Sequence, residues 1–459
     1  MKRPEKLYEG NIRKKYLLFA IPLILSSLLS QSYNMINSIM IGKFVGGAAF
    51  AATATTAQLI EFINSIFFGY LTGVGIYVSV LYGKNEHQKM LNVIKVNFII
   101  TSALALFVSL AGNLFCGQIF DFLNVGADVY ADAKAYFTTY ITGMVFFQFN
   151  WGFVYISNGM GMTTMPLTAS AFSGLCNITL NYLFLSVFDK SIGYSALATV
   201  ISSAMVTTFY FVTYIRLFKG MGIPLKGVRF ELKELKQAFS YGAPSLLQQM
   251  TMTGCTAIVS PLTNTCATAA LSGYSIANKA QTLTLAIYQG ASKANTNMVA
   301  QAMGAQRLDK IKQGIRIGFT QGLAFFGVTL GLFMIFAPQF TGLFLDPVLD
   351  AESFAVSINI IRYLFPFIVF NMFNNLFHGI FRAIGNGSLL FVSTLIYAAS
   401  YVLYAYILFA VLPQEYKIYG VHLALAAAYI TEVIFTSVMY FSGKWKTKEY
   451  KKLELELQG

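Results

Sequence analysis

Charge is scarce in this chain. Asp, Glu, Lys and Arg make up 11% of its 459 residues, against 56% hydrophobic. That shortage excludes an ordinary water-soluble domain, in which about a quarter of residues are charged. Histidine is scarcer still. His87, His378 and His422 lie far apart, and no paired acids stand inside the apolar segments, so no catalytic constellation is in sight. Cys116, Cys176, Cys255 and Cys266 form no C-x-x-C pair and lie in or beside apolar runs, which reads as buried thiols. A G-x-x-x-x-G-K-[ST] phosphate loop is missing, so no ATP hydrolysis is expected. The first apolar run lacks a small-residue cleavage site and reads as a retained helix.

Apolar runs dominate what remains, with a mean hydropathy of +0.60. Spans are expected over 15–43, 49–82, 91–116, 133–158, 166–188, 194–217, 238–261, 266–302, 314–337, 353–382, 389–412 and 420–442. Each is long enough for the roughly 20 residues that cross a bilayer. Continuous apolar runs without period-two alternation select helices over barrel strands. The fold expected is therefore an all-α polytopic membrane protein with twelve transmembrane helices. Pro22 in the first span matches Pro244 in the seventh, Gly69 matches Gly290, and Gly83 matches Gly304. Six helices per copy give a parallel repeat, the kind of duplication that lets a transporter hold a substrate site between two halves. The expected division is a six-helix lobe over 1–217, a linker over 218–237, a second lobe over 238–443 and a tail over 444–459. Phe230, Leu232 and Leu235 alternate in the linker with Arg229, Glu231, Lys233, Glu234 and Lys236, which reads as a short interfacial helix. The final LELELQG from Leu453 is assigned no function.

Basic residues set the expected orientation. They crowd the N-terminal tail (Lys2, Arg3, Lys6, Arg13, Lys14, Lys15) and the connections after the second (Lys84, Lys89, Lys95), sixth (Arg216, Lys219, Lys226, Arg229, Lys233, Lys236) and eighth spans (Arg307, Lys310, Lys312, Arg316). Arg382 ends the tenth span, and Lys444, Lys446, Lys448, Lys451 and Lys452 fill the tail. The opposite loops hold only Lys43, Lys134, Lys190 and Lys417, beside Asp121, Asp128, Asp132, Asp346, Asp350 and Glu352. Both termini are thus expected in the cytoplasm, in a plasma-membrane protein. The net charge of +13 reads as topology and contact with membrane lipids, with no nucleic-acid partner.

Polar side chains inside the spans are the candidate sites. Glu61 and Glu432 are the acids there, and burying a carboxylate in lipid costs several kcal/mol, so each should face protein. Glu61 shares a helical stripe with Gln58, Asn64 and Ser65. Ser26, Ser30, Tyr33 and Asn37 make a second stripe, which either lines a cavity or joins helices. Lys293 lies between Gln289 and Asn297, and Asn371, Asn374, Asn375 and His378 form a further cluster. His378 belongs to the one side-chain type that ordinarily titrates near neutrality. Each of these has a structural reading beside the functional one. Phe146, Phe149, Phe367, Phe370 and Phe373 are candidates for an adaptable drug-sized pocket.

Several motifs occur in a telling order: IPLILSSLLSQSYNMINSIMIGKFVG (Ile21 to Gly46), NGMGMTTMP (Asn158 to Pro166), GAPSLLQQ from Gly242, VAQAMGAQR (Val299 to Arg307) and FRAIGNGS (Phe381 to Ser388). In this order the chain resembles the multidrug and toxic compound extrusion (MATE) family over all twelve spans. The resemblance implies two six-helix lobes around a V-shaped central cavity, and an outward-extruding antiporter coupled to protons or sodium. In many bacterial members an acid on the first helix and an Asn-x-x-x-Asp pair on the fifth form a cation site. The matching positions here are Asn37, Asn177 and Asn181, and an amide cannot ionise. The Arg expected at the end of the fourth span is Asn158, and the Glu of one branch on the seventh is Met252. A basic residue near Lys279 is frequent in such relatives and reads as a lobe-stabilising partner.

The coupling candidates are therefore Glu61, Asn37, Asn177, Asn181, Tyr33 and Glu432. The cavity candidates are Gln31, Asn34, Gln58, Asn64, Gln148, Lys279, Lys293, Asn371, Asn374 and His378. The expected activity is export of amphipathic organic compounds by alternating access in a monomer, with no cofactor beyond H+ or Na+. A flippase for lipid-linked precursors and an uncoupled facilitator or sensor remain open beside it.

Overall fold

A computed structural model describes the backbone of residues 6–45, 47–122, 125–188, 192–224 and 231–456, with side chains at all of these except 38, 42, 43, 47–52, 54, 55, 122, 128 and 188. Lys2, Arg3, Gly46, Lys190, Lys226, Arg229, Phe230, residues 457–459 and the side chains of Lys43 and Asp128 lie outside the described residues. The helices are α1 (Ile12–Phe44), α2 (Gly47–Gly83), α3 (His87–Leu114), α4 (Cys116–Phe122), α5 (Ala127–Thr142), α6 (Met144–Gly159), α7 (Thr164–Leu183) and α8 (Ile192–Gly220). The second half holds α9 (Leu232–Asn264), α10 (Thr268–Gly304), α11 (Leu308–Thr341), α12 (Ala351–Asn359), α13 (Ile368–Ala383), α14 (Gly387–Val411), α15 (Lys417–Phe441) and α16 (Lys448–Glu456). Among the described residues nine helical segments are long and apolar enough to cross a membrane, and the molecule is an all-α polytopic membrane protein.

Three of the expected spans are not single α-helices, the fifth because α7 passes into a π turn (Phe184–Phe188). The fourth is divided into α5 and α6 at Gly143, where a Cβ would stand 2.3 Å from Val200 Cγ2. The tenth runs as α12, a π turn (Ile360–Leu364), a 3-10 turn (Phe365–Phe367) and α13. Pro366 lies in that 3-10 turn, has no N–H for the ladder and crowds the preceding turn, so the helix must readjust there. The linker also departs from expectation. Its described end, from Leu232, is no separate interfacial helix but the opening of α9. Glu234 is anchored there by the Tyr77 hydroxyl at 2.9 Å and Lys89 Nζ at 3.0 Å. The tail likewise docks as α16. Tyr450 and Leu453 are buried, and Lys446 Nζ meets Glu454 Oε2 at 2.7 Å. Cys116 and Cys255 are buried as expected, whereas Cys176 and Cys266 are partly exposed.

Two compact units form, and neither is one continuous half of the chain. The first comprises residues 1–6 and 28–246, the second 7–27 and 247–459. Each therefore takes a piece of a helix begun for the other. In the first unit α9 passes so close to α2 that a Cβ on Gly69 would lie 2.4 Å from Leu246 Cα, and one on Gly73 would lie 2.1 Å from the Tyr241 carbonyl oxygen. In the second, α1 approaches α10 so that a Cβ on Gly290 would lie 3.0 Å from Ile24 Cα, and the Tyr16 hydroxyl donates to the Ala291 carbonyl at 2.9 Å. The matched pair Gly69 and Gly290 thus each receive a matched proline-bearing helix. Small residues permit such backbone proximity where lipid offers no hydrophobic driving force.

Left-handed turn residues repeat as well. Asn85 and Gln306 follow α2 and α10, Gly161 and Gly385 follow α6 and α13, and Gly222 and Gly443 follow α8 and α15. At φ values of 78° and 77°, Gly161 and Gly385 occupy a region a Cβ would strain. Aromatic rings fill each core. Phe153 packs between Tyr210 and Tyr214 in the first unit, and Tyr397 stacks on Tyr429 at 5.4 Å in the second.

Candidate functional site

The first unit gathers the three amides. Asn177 and Asn181 stand one turn apart on α7, and Asn37 reaches them from α1. Asn37 Nδ2 donates to Asn177 Oδ1, and Asn181 Nδ2 lies 3.2 Å from the same oxygen and 3.4 Å from Asn37 Oδ1. Asn177 Nδ2 in turn donates to Thr199 Oγ1 on α8 at 3.1 Å. An amide both donates and accepts, so three of them close a hydrogen-bonded knot without any counter-charge. Asn181 Oδ1 remains enclosed with no partner. The knot offers oxygens to a cation but no charge to hold it.

Glu61 lies on α2 outside the knot. It and Gln58 are exposed, and no Lys, Arg or His forms an ion pair with Glu61 among the described residues. The same stripe turns inward at Asn64, whose Nδ2 donates to the Tyr140 hydroxyl at 3.1 Å. Tyr33 and Glu61 are within electrostatic range of that hydroxyl. Tyr33 also packs on Gly174 of α7, where a Cβ would meet its ring at 3.4 Å.

The second unit encloses an ionisable chain. Arg382 Nη2 donates to Gln248 Oε1 at 2.8 Å, and Gln248 Nε2 lies 2.7 Å from His378 Nδ1. Arginine can only donate, so the Gln248 oxygen must face it and the NH2 must face the imidazole. His378 Nδ1 is thereby the acceptor. Its proton belongs on Nε2, which stands 2.9 Å from Ser393 Oγ and 3.0 Å from Glu432 Oε1. His378 and Glu432 are 4% and 3% exposed, so this carboxylate has little contact with water. Three donors, on Arg382, Gln248 and His378, thus point in one direction, from Arg382 to Ser393, and Glu432 Oε1 stands enclosed beside the imidazole with no hydrogen-bond partner of its own.

Other expected residues fall elsewhere. Asn371 and Asn374 are enclosed rather than on an open wall. Asn374 Nδ2 donates to the Tyr429 carbonyl at 3.1 Å, and Asn371 Oδ1 accepts from Asn375. Gln148 is fully buried and ties α6 to α3, accepting from Thr101 Oγ1 at 2.7 Å and donating to Ser102 Oγ at 2.9 Å. Asn34 and Lys279 are exposed, and Gln31 and Lys293 are partly so. Lys279 Nζ stands 6.0 Å from the Phe344 ring centre. Of the five phenylalanines, Phe149 packs on Phe98 at 5.0 Å and Phe373 stacks on Phe319 at 5.9 Å, both as helix contacts. Sequence reasoning passed over Thr199, Tyr140, Gln248 and Ser393. Gln248 alone had a signal, four residues beyond Pro244 in a quoted motif.

Two copies of one helical bundle, with polar clusters enclosed in apolar spans, define a membrane transporter rather than an enzyme. The MatE family model matches residues 22–183 and again 244–407, starting each time at a repeat proline, and the chain belongs to that family of multidrug efflux transporters. It is similar to the probable multidrug resistance protein YpnP of Bacillus subtilis, at 23% identity over 441 residues, which covers 95% of this chain and 97% of that one. The probable multidrug resistance protein YoeA of the same organism is 24% identical over 352 residues, 74% of this chain and 75% of that one. The multidrug export protein MepA of Staphylococcus aureus is 22% identical over 253 residues, 54% of this chain and 56% of its own. Among solved structures, an outward-facing multidrug resistance MATE family transporter of the MOP superfamily aligns with a TM-score of 0.88 at 19% identity, over 97% of this chain and 100% of that one. A MOP superfamily transporter from Pyrococcus furiosus aligns with the same score, identity and coverage. These likenesses are of fold.

Proposed function

We propose that this transporter exports amphipathic organic compounds from the cytoplasm by alternating access, as a monomer of the plasma membrane with both termini inside, in exchange for protons carried at Glu432. The single arrangement that supports the proton reading is the enclosed chain from Arg382 through Gln248 and His378 to Glu432. Glu432 Oε1 stands enclosed 3.0 Å from His378 Nε2 with no hydrogen-bond partner, and a proton added to that carboxylate removes the negative charge of this cluster. The knot of Asn37, Asn177 and Asn181 has no group that can make that change, and a neutral amide cage holds sodium weakly. One proton crossing about 100 mV supplies roughly 2.3 kcal/mol, or about 1.6 decades of gradient for a neutral cargo.

Efflux of a cationic, a neutral and an anionic dye from proteoliposomes under imposed pH or sodium gradients tests this. Glu432→Gln should abolish acceleration by the pH gradient while downhill leakage of dye through the protein persists, and Glu61→Gln should keep the acceleration. The opposite pattern assigns coupling to Glu61. Transport that ignores both gradients in the unaltered protein makes it a facilitator. Transfer of a labelled lipid-phosphate precursor that disappears in Lys293→Ala, with no dye movement, makes it a flippase.

A further inference from the structure

A slot of about 430 Å³ opens on the first unit, between α2, α3 and the first turns of α9. Phe67 and Tyr70 form its floor, Ile100 and Leu104 one wall, and Leu235 and Phe239 the other. Its size is that of a small-molecule site, yet it lacks the few placed polar groups by which such sites orient a ligand. The polar side chains that reach it from α2 and α3 are already committed. Tyr70 Oη donates to Asn97 Oδ1, and Thr101 Oγ1 donates to Gln148 Oε1 at 2.7 Å.

Lys236 is different. It stands at the mouth, one turn from Leu232 and three residues from Phe239 on the same helical stripe, and it is exposed with no ion-pair partner among the described residues. The buried acid nearest to it in sequence, Glu234, turns to the opposite side of α9 and is taken by Lys89 and Tyr77. Glu231 is not among the residues that line the slot and belongs, with Glu234, Asn92 and Val96, to the adjoining crevice on the other side of Leu235. An apolar trough with one free cation at its membrane-surface end matches a ligand with a hydrocarbon chain and an anionic head. Phe239 is 59% exposed, so the trough opens toward the surroundings of the helices, where lipid is the solvent.

We infer that this slot binds an anionic phospholipid of the adjoining leaflet, with one acyl chain between α3 and α9 and its phosphate at Lys236. The site does not depend on which ion drives transport. It makes the opening turns of α9 sensitive to lipid composition, because the chain and headgroup touch that helix on one face.

Brominated acyl chains quench a nearby indole, and Phe239→Trp places one on the wall of the slot. The full-length F239W protein in phosphatidylcholine vesicles is titrated with brominated phosphatidylglycerol or brominated phosphatidylcholine, with quenching of the unsubstituted protein subtracted. Half-quenching is expected at an about fivefold lower mole fraction of the anionic lipid, the preference one lysine near an anionic headgroup supplies. Adding Lys236→Gln should level the two lipids, and Lys236→Arg should keep the preference, which separates charge from damage to the fold. Ile100→Phe should raise the half-quenching fraction of both by crowding the chain. Equal quenching by the two lipids in F239W, a preference that survives Lys236→Gln, or stronger competition by free dodecanoate or a dye cargo than by phosphatidylglycerol would each overturn the assignment.

Discussion

Asn181 Oδ1 is an enclosed oxygen without a partner, in a knot otherwise closed on itself. Two carboxylates in this place need a counter-charge, since a buried charge without one is strongly destabilising. The Asn37→Asp, Asn181→Asp double variant is therefore expected to melt lower than the unaltered protein in potassium buffer and to recover in sodium. At a sodium concentration a hundredfold above its dissociation constant the recovery is about 2.7 kcal/mol. A melting temperature that ignores sodium would show that the knot no longer takes the shape of a cation site. The trio was legible because two of its members are four residues apart on a helix and the third follows from family position. Thr199 was not, because a hydroxyl on a spanning helix has no pattern that separates a ligand from an ordinary back-bonded side chain. Glu432 and His378 had each been visible alone. Their contact was hidden because helix order in space, not sequence spacing, brings α13 and α15 together and inserts Gln248 from α9 beside them.

Helix pairs depend on single methyl groups. Gly73→Ala would place a carbon 2.1 Å from the Tyr241 carbonyl, where only backbone movement makes room, whereas a Cβ on Gly327 in α11 meets nothing within 4 Å. Thermal unfolding should show Gly73→Ala destabilised by about 1–3 kcal/mol, and Gly327→Ala unchanged or stabilised by up to about 1 kcal/mol. Similar losses in both would mean that α2 and α9 do not approach as described. The short α16 makes a second prediction. Lys446 beside Glu454 holds its carboxyl below the usual range, first by hydrogen bonding and further by charge, with Lys312 contributing. A lowered value in the folded state means that the contribution to docking is present above the ordinary carboxylate range and is lost as pH falls through the lowered value. Protection of the α16 amides against hydrogen exchange, corrected for the intrinsic rate, should hold from neutrality through the ordinary carboxylate range and fall only below it. Glu454→Gln should lower the protection at neutral pH and remove the pH dependence. The spans were readable from apolar length. The breaks at Gly143 and around Pro366 were not, since a glycine or proline in a lipid-spanning run is tolerated as often as it interrupts.

The duplication is the whole-molecule property. It was legible in Pro22, Pro244, Gly69 and Gly290, but only as a resemblance between two halves. That the glycine of one copy receives the proline-bearing helix of the other depends on backbone proximity, which no one-dimensional pattern carries. The turn residues extend the same correspondence to Gly222 and Gly443, far from the quoted motifs. The exchanged pieces also impose a schedule. Residues 7–27 are made well before their partners, since the unit that holds them has none of the rest of its chain until synthesis reaches Leu247. At translation rates of about 5–20 residues per second that is a wait of roughly 10–40 s. The first unit, meanwhile, stays incomplete until residue 246. The opening turns of α1, up to Ser27, must spend that interval against lipid or a chaperone, and a chain stopped between the halves yields neither unit whole.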